Sequence, residues 1–372
     1  MRHQTIPLGF DTPGSSTVLD AFIFGSDNSN GPAAYLQAGL HANEVPGVLV
    51  LQYLMKALTA AENNGELTGK VTVVPAANPI GLRQFIQGQH HGRFDLGSGE
   101  NFNRRFVAFS DEVCRRLRSE EKENSRDFAR VVKNSIQQVL GEAKPATQLA
   151  ALRIALTRLA SDADTILDLH CDREACLHLY ANEHQLDDAQ LLASHVGADV
   201  VLYAPEQGGA SFDDSIVTQW LDIYRRFQRP LETAPVFAAT IELRGRTDID
   251  RQIASHDAAR LLAYLTARGV VKGTPAIPAT RPSCVAPLSG VEVLQSPAAG
   301  LLLYHQEIGA NIAPGDLVAE IIHPVSGEVH ELRSNIEGCF FARDHERYVS
   351  AGHNVSFVSG VVPLDKGQLL TA

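Results

Sequence analysis

Four short segments of this 372-residue chain hold the side chains best suited to chemistry. The first is Gly39-Leu40-His41-Ala42-Asn43-Glu44-Val45-Pro46-Gly47. His41 and Glu44 stand between an apolar run that reads as a strand and a helix opened by Pro46, where a missing N–H costs little. An imidazole and a carboxylate so placed can take two of the four positions around a zinc ion. The second segment, Thr165-Ile166-Leu167-Asp168-Leu169-His170, is an apolar strand that ends abruptly in Asp-Leu-His. His170 is a candidate third ligand, which leaves the fourth position to water. Asp168 shares its face and can touch the site from below. In the third segment, Ala239-Thr240-Ile241-Glu242-Leu243-Arg244-Gly245, a carboxylate interrupts an apolar strand. Such a group is costly unless paired or used. Metal-assisted hydrolysis needs a base that takes a proton from water and returns it to the leaving nitrogen, and Glu242 fits that task. A period of two puts Arg244 on the same face, as a candidate substrate contact. An ion pair of Glu242 with Arg244 or Arg246 is the purely structural alternative. The fourth segment is the glycine-rich loop from Gly92 to Arg104, with Arg93, Asn103 and Arg104. Guanidinium groups grip carboxylates through two parallel hydrogen bonds and can also stabilise an oxyanion.

The surrounding sequence must bring these segments together. Up to about residue 270, β-branched apolar runs alternate with helical patterns. Ala33–Leu40, Val71–Ala76, Thr165–Leu169, Val200–Tyr203 and Ala238–Leu243 read as strands; Pro46–Asn63 and stretches near 187–196, 212–227 and 250–267 read as helices. This alternation predicts an α/β domain over 1–272 with a largely parallel sheet, whose strand ends are where such folds build sites. A helical insertion at about 110–160 interrupts it, with an apolar stripe of Phe128, Val132, Ile136 and Leu140 that predicts core packing. A proline-rich stretch, Gly273 to Pro282, precedes short β runs split by turns, which predict a β-sandwich or barrel over 283–372. A biotinyl- or lipoyl-type carrier needs a lysine at its hairpin tip, and no lysine occurs between Lys272 and Lys366.

Composition narrows the function classes. The net charge of −11 argues against a nucleic-acid partner. No apolar run approaches a membrane span, and Met1 to Pro7 lacks the apolar core of a secretory leader. The five cysteines are scattered without a disulfide framework, as expected of free thiols in the cytoplasm. His90 and His91 read as exposed or rim residues, His178 as a hydrogen-bonded strand histidine, and Cys171 as pointing away from His170.

Taken in order, His-x-x-Glu, Asn-Arg, Asp-Leu-His and a strand glutamate resemble the succinylglutamate desuccinylase/aspartoacylase family of the zinc carboxypeptidase superfamily. The resemblance spans about residues 20–270, and the β-rich tail is similar to the family's C-terminal domain. It implies a zinc-carboxypeptidase-like mixed, largely parallel sheet flanked by helices, plus a small all-β domain beside the site. It further implies one Zn²⁺ held by His41, Glu44 and His170, and Glu242 as general base and proton shuttle. Asn103 and Arg104 would hold the substrate's α-carboxylate, and Arg93 would polarise the scissile carbonyl. The activity implied is a zinc-dependent deacylase acting on a small N-acyl amino acid. A metallocarboxypeptidase of short peptides shares the same motifs. A catalytically dead binding protein fits less well, because all three ligand positions and Glu242 are present. Family members often carry an acid two residues before the Asn of Asn-Arg; here Asn101 stands there, an acceptor without charge. The sequence is compatible with a homo-oligomer.

Overall fold

Strands with near-continuous apolar character need cover on both faces, and the computed structural model supplies it. It describes residues 1–26, 31–119, 127–277 and 279–364. Residues 120–126 of the helical insertion, Pro278 of the proline-rich stretch and the tail from 365 onward lie outside the described residues. Nine strands form the large sheet: Arg2–Pro7 (β1), Val18–Phe24 (β2), Ala34–Ala38 (β3), Val71–Val74 (β4), Thr165–Asp172 (β5), His178–Asn182 (β6), Val200–Ala204 (β7), Phe237–Gly245 (β8) and Cys284–Pro287 (β9). Their spatial order is β1-β2-β4-β3-β5-β8-β6-β7-β9. The centre, β4-β3-β5-β8, is parallel, as are β6-β7-β9, while β1-β2, β2-β4 and β8-β6 pair antiparallel. The fold is thus the mixed, largely parallel α/β architecture that the sequence predicts.

Helices Pro46–Asn63 (α1), Leu186–Val196 and Arg251–Ala267 cover one face, over a core that includes Leu36, Leu51, Leu167, Leu192, Leu261 and Tyr264. Ser110–Ser119, Phe128–Glu142, Gln148–Ala160 and Phe212–Arg226 cover the other, over Tyr35, Phe109, Ile136, Leu152, Ile166 and Trp220. Among the described residues no helix is long and apolar enough to cross a membrane.

Three strands depart from the sequence reading. β1 and β2 were not foreseen: β1 is an exposed edge strand, so burial imposes no apolar pattern on it. The run after the proline-rich stretch, expected to open the second domain at 283, instead closes the large sheet beside β7. Pro287 has no N–H to give, which an edge strand tolerates. The β-rich domain's own sheets start at Val291–Gln295. One holds Val291–Gln295, Asn354–Ser359, Gly338–Arg343 and Asn311–Ile312; the other holds Val329–Arg333, Leu317–Ile322, Gly300–Tyr304 and Tyr348–Val349. Leu302, Ile321, Phe340 and Val358 belong to the core of this domain. Glu174–Ala175, just past β5, pairs with Gly338–Arg343, so the second domain grips the chain four residues beyond His170.

Candidate active site

β3 and β5 are parallel neighbours, and both end at one sheet edge. There the chain turns through His41–Glu44 into α1, whose first residue is Pro46, and His170 closes β5 beside it. Glu242 on β8 is the register partner of His170. Gly92 lets the glycine-rich loop lie against the His41 turn: its carbonyl accepts Ala42 N–H at 2.9 Å, and a Cβ on Gly92 would stand 2.3 Å from Asn43 N.

His41, Glu44 and His170 are all buried, and their ligand-type atoms lie within 4.8 Å of one another. Among the described residues no other His/Cys/Asp/Glu group has that geometry. His41 Nδ1 is 3.0 Å from Glu44 Oε1, and His170 Nδ1 is 2.8 Å from Glu44 Oε2. The outward nitrogens are also held: His41 Nε2 lies 2.9 Å from Asn101 Oδ1, and His170 Nε2 lies 2.9 Å from Asp168 Oδ2. Asn101 Oδ1 can only accept, so His41 Nε2 carries the proton and its Nδ1 is free to ligate; His170 Nε2–H faces Asp168 in the same way, and its Nδ1 would be free for a metal once the proton it shares with Glu44 is released. Asn101 thus meets a histidine of this group as a neutral acceptor. Burial, with Arg93 close by, pushes His41 down to about 4, so its ring is neutral near pH 7. For His170 burial acts in the same direction, but Asp168 and Glu44 outweigh it and raise the ring well above its ordinary value. Burial opposes ionisation of Glu44; the two imidazoles outweigh it and hold the carboxyl well below the carboxylate range.

Glu242 lines the cavity, and its Oε2 is buried without a hydrogen-bond partner. Burial and then the charge of Glu44 raise its carboxyl well above the ordinary range. Arg93 reaches in from the glycine-rich loop, its Nη1 3.2 Å from Glu44 Oε1. Asn103 is buried, with Nδ2 3.2 Å from His170 Nε2 and Oδ1 accepting Phe212 N–H at 2.8 Å. Arg104 donates Nη1–H to the Asn103 carbonyl at 2.8 Å. Its stem packs on Gly209, where a Cβ would come 2.5 Å from Arg104 Cδ and φ is +71°.

Arg244 is the one expected substrate contact that the structure directs elsewhere. Between Glu242 and Gly245 the β8 register against β5 slips at a bulge, and Arg244 takes φ +61°. The extra residue reverses the alternation of faces. Arg244 then pairs with Asp257 on the Arg251–Ala267 helix, and Arg246 lines the cavity instead. Cys171 contributes a backbone N–H to Glu44 Oε2 (3.3 Å), and its thiol, raised by burial, is not among the converging atoms of the His41–Glu44–His170 group. His178 is only half satisfied: Nδ1 meets the Cys176 carbonyl at 2.9 Å, while Nε2 is buried without a partner.

Several contributors have no motif. Arg153, buried on the helical insertion, binds Glu100 Oε2 and the Asn101 carbonyl at 2.8 and 2.9 Å, and so braces the loop behind His41. Arg173, Tyr180, Gln207, Asp344, His353 and Phe357 line the cavity. Asp213 and Asp214 open the Phe212–Arg226 helix beneath Arg104. Burial, and then Asp213, pushes Asp214 up to about 7. A carboxyl raised in the folded state costs nothing below its unfolded pKa and destabilises increasingly as pH climbs toward 7. The thermal midpoint of Asp214→Asn should therefore match wild type near pH 4 and exceed it at pH 8, with a free-energy gain of at most about 4 kcal/mol. A difference that stays constant with pH would mean that Asp214 is ionised throughout.

Residues 30–268 match the succinylglutamate desuccinylase/aspartoacylase catalytic domain, and the chain belongs to that family of deacylating hydrolases. No curated protein matches the sequence. Among solved structures, a family protein of Shewanella amazonensis is 25% identical, with 96% of this chain and 98% of that one covered and a TM-score of 0.85. A counterpart from Shewanella frigidimarina is 24% identical over 98% and 99%, also at 0.85. The ectoine utilization protein EutE (DoeB) of Ruegeria pomeroyi, solved with product bound, shares the fold at 18% identity over 96% and 94%, with a TM-score of 0.67.

Proposed function

We propose that the protein is a zinc-dependent deacylase that cleaves the amide bond of a small N-acyl amino acid. The observation that carries the reading is the convergence of two imidazole Nδ1 atoms and one carboxylate, with a buried, unpartnered Glu242 oxygen in the same cavity. Two nitrogens and one oxygen, open on the cavity side, fit a catalytic zinc by donor type and number. When bound, zinc supplies a water of lowered pKa and a Lewis-acid contact for the amide carbonyl.

The chain's own groups do the rest. Asn101 and Asp168 fix the tautomer of both imidazoles. Glu242 accepts the proton of the attacking water at Oε2 and hands it to the leaving nitrogen, a transfer that its raised affinity for protons suits. Arg93 faces the charge that builds on the carbonyl oxygen. Arg104 pairs with the α-carboxylate, steadied by the Asn103 carbonyl, and the Nδ2 hydrogens of Asn103, which find no acceptor in the protonated His170 Nε2, are left for the same carboxylate. The test is release of free amino acid from N-acyl amino acids by protein holding one zinc per chain. Protein with zinc bound and no such release would sink the reading.

Carboxylate recognition makes a separate prediction. A lysine cannot reproduce the two-pronged grip of a guanidinium. Arg104→Lys should lose about 10- to 100-fold in kcat/KM, mostly through KM, the scale of one charged hydrogen bond. Substrates amidated at the α-carboxylate should be poor for wild type and no worse for the variant. Equal turnover of amides and free acids would give Arg104 another job.

A further inference from the structure

We propose that the cavity wall supplied largely by the C-terminal domain is a subsite for an apolar acyl group, with Phe357 and Val293 setting its length. This rests on the deacylase reading, because it assigns the acyl end of that substrate. The cavity measures about 550 Å³. On one side stand Arg104, Asn103, Gln207 and Ser211, polar and drawn from the catalytic domain. An α-carboxylate held there, with its amide at the His41–Glu44–His170 group and Glu242, sends the acyl chain toward the other side.

That other side carries an apolar patch, beside the polar Asp344, His345, Glu346, His353 and Asn354 that also line the cavity. The patch is made by Tyr180 of β6 together with Leu288, Val291, Val293, Phe341 and Phe357 from beyond the proline-rich stretch. Tyr180, Val293 and Phe357 keep part of their surface open. The wall is preformed: the Phe341 ring lies 6.3 Å from Phe357 and 5.0 Å from His178, which in turn meets Tyr180 at 5.3 Å. It is also fixed to the catalytic domain. Cys176 N–H donates to the Phe341 carbonyl at 2.9 Å, and Glu174 accepts from Arg343 and Arg347 at 2.6 and 2.9 Å. Of the two guanidinium groups at this mouth, Arg173 is paired with a carboxylate, while Arg246 meets a histidine ring and not an acid. Arg173 and His353 both meet Asp344, and Arg246 Nη2 lies 3.2 Å from His345 Nε2. An anionic acyl end would have to displace those contacts and lie along an apolar surface, at a desolvation cost. A methylene placed there gains about fourfold in binding.

The test is a series of N-acetyl, N-propionyl, N-butyryl and N-succinyl derivatives of one amino acid. For wild type, kcat/KM should rise two- to fourfold per added methylene up to butyryl, and succinyl, with the same carbon count as butyryl, should fall below it. Phe357→Ser should flatten the rise, and Phe357→Leu should retain most of it. Val293→Phe, which fills the subsite, should reverse the butyryl-to-acetyl preference, so the outcome does not rest on one variant that folds poorly. Calorimetric binding of the same series to Glu242→Gln protein gives the ranking without turnover. Succinyl preferred over butyryl, or the same slope in Phe357→Ser, overturns the subsite while leaving deacylation intact. The predicted binding order without any hydrolysis by wild type would sink the deacylase reading and leave the subsite standing.

Discussion

Glu242→Gln should lower kcat by at least ~10²-fold while the protein keeps its full complement of zinc. The amide matches the carboxylate in shape, so the strand, its register with His170 and the cavity wall are all retained. What it lacks is the ability to take a proton. Glu242 is no metal ligand in this arrangement, since the converging atoms belong to His41, Glu44 and His170. Zinc content should therefore follow wild type, and the thermal midpoint should not fall below it, since the amide removes a carboxyl whose ionisation burial opposes. Among the described residues no ion pair of Glu242 is seen: Arg244 is committed to Asp257, and Glu242 Oε2 is left bare. A carboxylate oxygen without a partner is expensive to bury, and the proposed role in proton transfer would account for its presence here. Near-normal kcat in Glu242→Gln, measured on the best N-acyl substrate at saturating concentration, would end this mechanism. A large loss of zinc along with activity would instead move Glu242 into the metal sphere.

The parts of the site that could be read from the sequence are those fixed by the ends of buried strands. An apolar run that stops in Asp-Leu-His, or that is broken by a lone glutamate, leaves those polar groups only the sheet edge to occupy, so His170 and Glu242 were legible. His41 and Glu44 were legible because Pro46 marks where the helix begins. Arg244 was misplaced because face alternation assumes an unbroken strand, and no residue type announces a bulge whose αL position is held by an arginine. In that conformation Arg244 pairs with Asp257, which lies on the Arg251–Ala267 helix and leaves no trace in the strand's own sequence. Arg153 is a charged residue on the buried face of the Gln148–Ala160 helix, where Leu149, Leu152 and Leu156 carry the apolar pattern. Val293, Phe341 and Phe357 lie on short β runs whose sequence does not say which residues meet the cavity. Those residues face the cavity because Glu174–Ala175 docks onto the Gly338–Arg343 strand, a long-range pairing with no local pattern. The family resemblance placed the second domain beside the site, but not the side chains it contributes.

The metal centre carries the other large expected effect. The double variant His41→Ala, His170→Ala should retain little zinc after dialysis and show no measurable turnover, because it removes both nitrogen ligands and leaves only Glu44. Added zinc stabilises whatever folded state binds it. It should therefore raise the thermal midpoint of stripped wild-type protein and leave that of the double variant unmoved. An unchanged metal stoichiometry in the double variant would remove this assignment whatever the activity showed. Asn101 provides the opposing arm. Its Oδ1 accepts from His41 Nε2 and also from Asn103 N–H, both at 2.9 Å, so the position is already shaped for an acceptor. Asn101→Asp adds a negative charge behind the ligand, which makes the imidazole a stronger donor. Partners of this kind typically change metal affinity 10- to 100-fold. A chelator competition should thus find zinc held about tenfold more tightly by Asn101→Asp than by wild type. The gain is bounded on the other side by burial: Asn101 is nearly inaccessible, and a carboxylate there must be ionised to help. If Asn101→Asp binds zinc more weakly, the neutral amide is an adaptation of this chain to a buried setting, and not a weakened copy of the family's acid.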